Sequence, residues 1–174
     1  MDYKTVQKWN VFMTNNEGTK IYLIQHGDSL AKEVDPNRPL SEKGKQDINH
    51  LATFLKNLNL SVDLIIHSGK LRAAQTAELL GLAFQPRTPI QSQAGLEPLD
   101  DPTPLANELK SWSHNTVFVG HLPFMEKLSS LLLAGEEKKI LAFEPGTLIC
   151  LERNNENIWT LLWMLRPQLF LWPV

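Results

Sequence analysis

Two histidines in this sequence follow directly on short apolar runs. Ile21-Tyr22-Leu23-Ile24 leads into Gln25-His26-Gly27, and Val117-Phe118-Val119 leads into Gly120-His121. Each run has the length and composition of a buried strand and is followed by a break. In an open parallel sheet the carboxyl ends of the strands line one crevice, and ligands bind there. His26 and His121 are therefore expected to meet although they lie far apart in the chain. Neutral imidazole is a good nucleophile near pH 7, because its pKa lies near that value. Two such rings beside an arginine make a site that can attack and hold a phosphoryl group.

The neighbouring residues fit that chemistry. Gly27 lets the backbone approach a ligand closely and offers its amide N–H to an anion. After His121, Leu122-Pro123 opens a helix, and a helix N-terminus attracts phosphate through its free N–H groups and dipole. The arginine is Arg72, in Ser68-Gly69-Lys70-Leu71-Arg72-Ala73-Ala74-Gln75-Thr76-Ala77, a segment that leaves a strand end and enters a helix. Arg72, Gln75, Thr76 and Leu79 share one helical face, while Ala73, Ala77 and Leu80 share another. A guanidinium in the first turn can reach the crevice, and its planar fork suits phosphate oxygens. Glu97, in Gly95-Leu96-Glu97-Pro98, is the candidate general acid, with Asp100 and Asp101 next in line. His50 and His114 read as solvated, and His67, which ends a strand near the crevice, reads as structural. No paired metal-ligand spacing occurs, and no Gly-x-Gly-x-x-Gly or Walker loop, so no metal and no cofactor is expected.

The elements that must position these residues alternate. Strands are expected at 20–25, 62–66, 88–91 and 116–119, and helices at 42–57, 70–80, 104–112 and 123–133. Ser41 is a good N-cap for the first helix, and Ile48, Leu51, Ala52, Leu55 and Leu58 follow helical spacing. Gly81 reads as the stop of the second helix, and Pro102 and Pro104 mark the start of the third. Two further strands, 146–152 and 157–165, flank a turn at Asn154-Asn155-Glu156-Asn157. The expected fold is an α/β three-layer sandwich, with a mostly parallel central sheet, helices on both faces and an antiparallel C-terminal hairpin at one edge. Residues 1–19 read as an N-terminal extension that Trp9, Val11 and Phe12 could dock, and residues 20–174 as a single domain. Trp159, Trp163, Phe170 and Trp172 read as packing residues.

The composition narrows the function classes. The chain has 174 residues, 43% of them hydrophobic, enough for one compact domain with a real core. A net charge of -2 argues against a nucleic-acid surface or an anionic-membrane surface. The single cysteine, Cys150, excludes an internal disulfide and fits a reducing, cytoplasmic setting. The first residues hold no long apolar core of a secretory signal, and no stretch reaches transmembrane length.

Taken in order, five segments resemble the histidine phosphatase superfamily, and within it the SixA-like phosphohistidine phosphatases. They are Tyr22-Leu23-Ile24-Gln25-His26-Gly27-Asp28, Arg38-Pro39-Leu40-Ser41-Glu42-Lys43-Gly44, Ser68 to Thr76, Val119-Gly120-His121-Leu122-Pro123 and Trp163-Met164-Leu165-Arg166-Pro167. The resemblance spans about residues 20 to 170. It implies His26 as nucleophile, Arg72 as a phosphate-binding arginine and His121 as the second pocket histidine. The implied substrate is a phosphorylated protein, such as a histidine-containing phosphotransfer domain in signalling, or a small phosphorylated molecule. One position departs from the pattern: Gln25 stands where the family signature carries arginine. A hydrogen bond to a charged partner is worth roughly 1.5–3 kcal/mol and a neutral one about 1. Losing the arginine's charged hydrogen bond would by itself cost about 10-fold to more than 100-fold in phosphate or transition-state binding, and a neutral glutamine bond would recover part of that. Arg38 or Lys70 could restore the charge. In the implied reaction His26 attacks phosphorus while neutral, His121 acts preferably as the protonated partner, and the two coupled rings give a bell-shaped pH dependence. The alternative is a catalytically weak member that binds phosphate or a phosphoprotein.

Overall fold

The computed structural model describes residues 18–170. Its centre is strand β1 (Thr19–Gln25), whose last six residues are all buried. Along β1, successive side chains alternate between the two faces of the sheet. Ile21 and Leu23 enter one core and Tyr22 and Ile24 the other. β1 is paired on both sides, with β4 (Thr116–Gly120) in parallel and β5 (Leu148–Arg153) in antiparallel register. β2 (Leu64–His67) lies parallel to β4, and β3 (Gln91–Ser92) parallel to β2. β6 (Trp159–Leu165) closes the other edge as an antiparallel hairpin with β5. The strand order is β3-β2-β4-β1-β5-β6. This is the three-layer α/β arrangement expected from the alternation of strands and helices.

Helices α1 (Glu42–Lys56) and α2 (Leu71–Phe84) cover one face, where Ile48, Leu51, Leu55, Ala73 and Leu80 meet Val117 and Val119. Helices α3 (Thr103–Glu108) and α4 (Phe124–Ala134) cover the other, where Leu105, Phe124 and Leu128 meet Phe118. Ser41 caps α1 by accepting from the Gly44 amide at 3.0 Å, as its position suggested. Cys150 is buried opposite Tyr22 in the β1–β5 register. Of the aromatic residues near the end, Trp159 is buried and Trp163 packs against the Tyr22 ring, with centroids 5.8 Å apart.

Several boundaries differ from those read in the sequence. α2 runs through Gly81 and ends only at Phe84, where Gln85 takes a left-handed φ of 47° before Pro86. Gly81 serves packing instead: a Cβ there would lie 2.9 Å from Ile90 Cδ1. β3 is shorter and lies later than the expected 88–91, at Gln91–Ser92, beyond Pro89, which cannot donate to a ladder. β2 begins two residues later than expected, since the Asp63 carboxylate is used to accept the Asn115 amide at 2.9 Å. α3 stops at Glu108 rather than 112, as the carbonyls beyond it turn toward Arg153, with Leu109 O at 2.8 Å and Trp112 O at 2.7 Å. The extension expected over 1–19 lies, through residue 17, outside the described residues, as do its docking residues and Trp172.

Candidate active site

β1 ends at Gln25, and the next residue, His26, stands over the crevice with only 8% exposure. Its Nδ1 lies 2.7 Å from the Gly27 carbonyl. A carbonyl can only accept, so in the neutral ring the proton sits on Nδ1 and the lone pair on Nε2. That lone pair faces Arg72, whose Nε–H donates to it at 2.9 Å. Arg72 lies in the first turn of α2, 8% exposed, and forms no ion pair with a carboxylate among the described residues. The backbone behind it is held by Thr76, a buried residue whose hydroxyl donates to the Arg72 carbonyl at 2.7 Å.

His121 follows β4 and is 1% exposed. Its ring centroid lies 4.9 Å from that of His26, with the planes at 60°. The parallel register of β2 against β4 pairs His67 with Val119, and so sets the following residue, Ser68, beside the end of β4. The Ser68 Oγ lies 2.6 Å from His121 Nε2, and His121 Nδ1 is buried with no hydrogen-bond partner. Burial lowers both rings. Desolvation carries His26 down to about 4, helped by the positive fields of Arg72 and Arg38 and opposed by the Gly27 carbonyl. Desolvation carries His121 to about 3, with the His26 ring, Arg72, Lys70 and Arg38 adding to it. Burial therefore works against the expected protonated His121, since it favours the neutral form of both imidazoles near pH 7. Arg72 is also lowered, first by burial and then by Arg38, but from a value so high that it stays charged.

The remaining candidates are placed as follows. Gln25 is 8% exposed and its Oε1 is buried without a partner. The Gly27 amide, expected to face an anion, instead donates to Thr76 Oγ1 at 3.1 Å. What the site needs from Gly27 is its missing Cβ, which would lie 2.9 Å from Ile48 Cγ1. Arg38 sits in the loop between β1 and α1, where its guanidinium donates to Leu30 O at 3.2 Å and Ser29 Oγ at 3.3 Å. Glu97 is half-exposed and paired with Lys70 at 3.0 Å, at the rim of the crevice, where its charge acts on Arg72. Asp100 and Asp101 bond to backbone amides of their own loop, Asp100 to Glu97 N at 2.7 Å and Asp101 to Thr103 N at 2.9 Å. His67 accepts from the Gly69 amide at 3.0 Å, and His50 and His114 are exposed.

The chain has recognisable relatives among known proteins. The family model of the histidine phosphatase superfamily (branch 1) matches residues 21–100. An uncharacterised protein of Picosynechococcus is 31% identical over 146 residues, covering 80% of this chain and 88% of its own length. The chain belongs to the histidine phosphatase superfamily. It is also similar to the phosphohistidine phosphatase SixA of Escherichia coli, at 24% identity over 153 residues, 85% of this chain and 94% of that protein. Among solved structures, SixA complexed with tungstate superimposes with a TM-score of 0.77 at 22% identity, covering 86% of this chain and 98% of that one. The phosphoserine phosphatase of Entamoeba histolytica in complex with 3-phosphoglyceric acid gives 0.67 at 17% identity, covering 88% and 100%.

The stretch matched by the histidine phosphatase model holds Gln25, His26, Arg38, Arg72 and Glu97, and His121 lies beyond it. Two buried residues at this candidate site were not singled out for a role in the sequence, Ser68 and Thr76. Thr76 shares the Arg72 helical face, which was the available signal. Ser68 had only its place at a strand end.

Proposed function

We propose that this protein is a phosphatase that moves a phosphoryl group onto His26 and then to water, with protein phosphohistidine as its substrate. The observation that carries the reading is the state of His26. Its Nδ1 is committed to the Gly27 carbonyl, and its Nε2 lone pair points at a buried guanidinium 2.9 Å away. In the first step the Nε2–phosphorus bond forms as the bond to the leaving group breaks. In the second, water attacks phosphorus and the Nε2–phosphorus bond breaks. Arg72, shifting from the ring to the equatorial oxygens, and His121 hold the charge as it moves. Arg38 adds positive field to both rings. The tungstate held by the SixA structure is a tetrahedral oxyanion of the kind such a pocket accepts.

The leaving group supports phosphohistidine. An alkoxide must be protonated as it departs, whereas imidazole is far more stable. Glu97 is the candidate acid, but it is half-exposed and tied to Lys70, a poor setting for a poised donor. Cytoplasmic signalling is the proposed context. Among the described residues no helix is long and apolar enough to cross a membrane.

Gln25 supports the second reading, a weak or inactive member that binds phosphate or a phosphoprotein. It brings no charge next to the nucleophile, and its Oε1 is unpartnered. One experiment separates the two. Hydrolysis of an aryl phosphate and of a phosphohistidine peptide is measured for the wild type, His26→Ala and Gln25→Arg. Turnover that is fastest on the peptide and abolished in His26→Ala supports the enzyme. A silent wild type rescued by Gln25→Arg supports the binder. Wild-type turnover that survives His26→Ala overturns the proposed mechanism.

A further inference from the structure

We propose that Ser68 is a positioning residue that fixes His121 as its Nδ1–H tautomer, so that this ring presents a proton to the ligand where His26 presents a lone pair. The inference rests on the phosphoryl-transfer reading above and adds to it a residue whose hydroxyl acts only through His121. Among the described residues, the Ser68 hydroxyl has two hydrogen-bond neighbours. The Lys70 amide can only donate, in a long contact of 3.5 Å, and so occupies an oxygen lone pair. The other neighbour is His121 Nε2 at 2.6 Å, which is left to accept the hydroxyl hydrogen. A neutral ring that accepts at Nε2 must carry its proton on Nδ1.

Nδ1 is the nitrogen that is buried and has no partner. A buried donor without an acceptor is costly, and a phosphoryl oxygen would satisfy it. The opposite tautomer would set a nitrogen lone pair against an anion. The two rings thus use opposite second partners. The Gly27 carbonyl accepts from His26 and frees its Nε2 lone pair, while the Ser68 hydroxyl donates to His121 and leaves its Nδ1–H to give. The strand register supplies the geometry, because Ser68 N also donates to Val119 O at 3.2 Å, fixing the serine beside β4.

The test is nitrogen-15 NMR of the histidine side chains at neutral pH, together with vanadate binding, for the wild type, Ser68→Ala and Ser68→Thr. The wild type should show His121 protonated at Nδ1. Ser68→Ala should give a mixed or reversed tautomer and bind vanadate about tenfold more weakly. Ser68→Thr, which keeps the hydroxyl, should restore both. A wild-type His121 protonated at Nε2, or an unchanged tautomer or vanadate affinity in Ser68→Ala, overturns the proposal. If the wild type does not bind vanadate at all, the phosphatase reading falls, and the NMR comparison still decides the tautomer.

Discussion

Two arginines stand at opposite ends of the sheet, and they are used in opposite ways. Arg153 pairs in register with Thr19, at the start of β1. Its guanidinium donates to the carbonyls of Leu109, Lys110 and Trp112 and to Thr19 Oγ1, and lies 5.9 Å from the Trp159 ring centroid. Arg72 stands at the other end, beyond the last residue of β1, and is more buried, yet among the described residues its guanidinium donates to a single imidazole nitrogen. Both unpartnered buried side-chain polar atoms among the described residues, Gln25 Oε1 and His121 Nδ1, lie within one residue of the ends of β1 and β4, on the Arg72 side. At one end the fold satisfies its own polar groups. At the other it leaves side-chain polar groups unmatched, and that asymmetry sets a structural arginine apart from the one proposed to hold a ligand.

The sharpest way to break this contrast is to remove each arginine in turn. Arg72→Ala should lower kcat/KM for an aryl phosphate by roughly 10²–10³ with little change in melting temperature. Arg153→Ala should leave kcat/KM unchanged and lower the unfolding free energy by about 2–3 kcal/mol, read from denaturant titration. Exchanged outcomes would erase the distinction.

The next effect is on pH. The folded site holds His26 at about 4 and His121 at about 3, against 6.5 in the open chain. Between those limits the unfolded chain binds more protons than the folded one, so stability rises with pH. This contribution is complete above about pH 6.5 and is lost as pH falls toward 4 and then 3. The melting temperature should drop across that window, and a His26→Ala, His121→Ala double variant should flatten the drop. The acid limb of kcat/KM should lie near pH 4 for the same reason, well below that of a solvated imidazole.

The smallest effect is expected at Arg38. Its backbone is left-handed, with φ 51°, a conformation that costs a non-glycine residue about 1 kcal/mol. Arg38→Gly relieves that cost and loses two loop hydrogen bonds of similar size, so stability should stay within about 1 kcal/mol. Vanadate affinity should nonetheless fall roughly three- to tenfold, as a positive charge leaves the field of both rings.

Much of this could be read from the chain, and the reasons are local. Ile21 to Ile24 and Val117 to Val119 announce their strands because nothing but burial explains such runs, and strand ends of an open sheet share a crevice. The meeting of His26, His121 and Arg72 follows from those two facts and the first turn of α2. What failed depended on contacts across elements. Gly81 looks like a helix stop until Ile90 is seen against it, and the Gly27 amide looks open until Thr76 arrives from α2. The link from Ser68 to His121 depends on the lateral register of β2 against β4, which no periodicity within either segment encodes.

β1, the strand that leads into His26, has hydrogen-bonded neighbours on both edges and helices over both faces. Its amides have no local route to solvent, so they should exchange only when the whole domain opens. The proposed nucleophile thus follows directly on the segment that is last to let go. Heating should abolish turnover and the β1 protection factors at one common temperature, with no range in which a folded but misassembled catalyst persists.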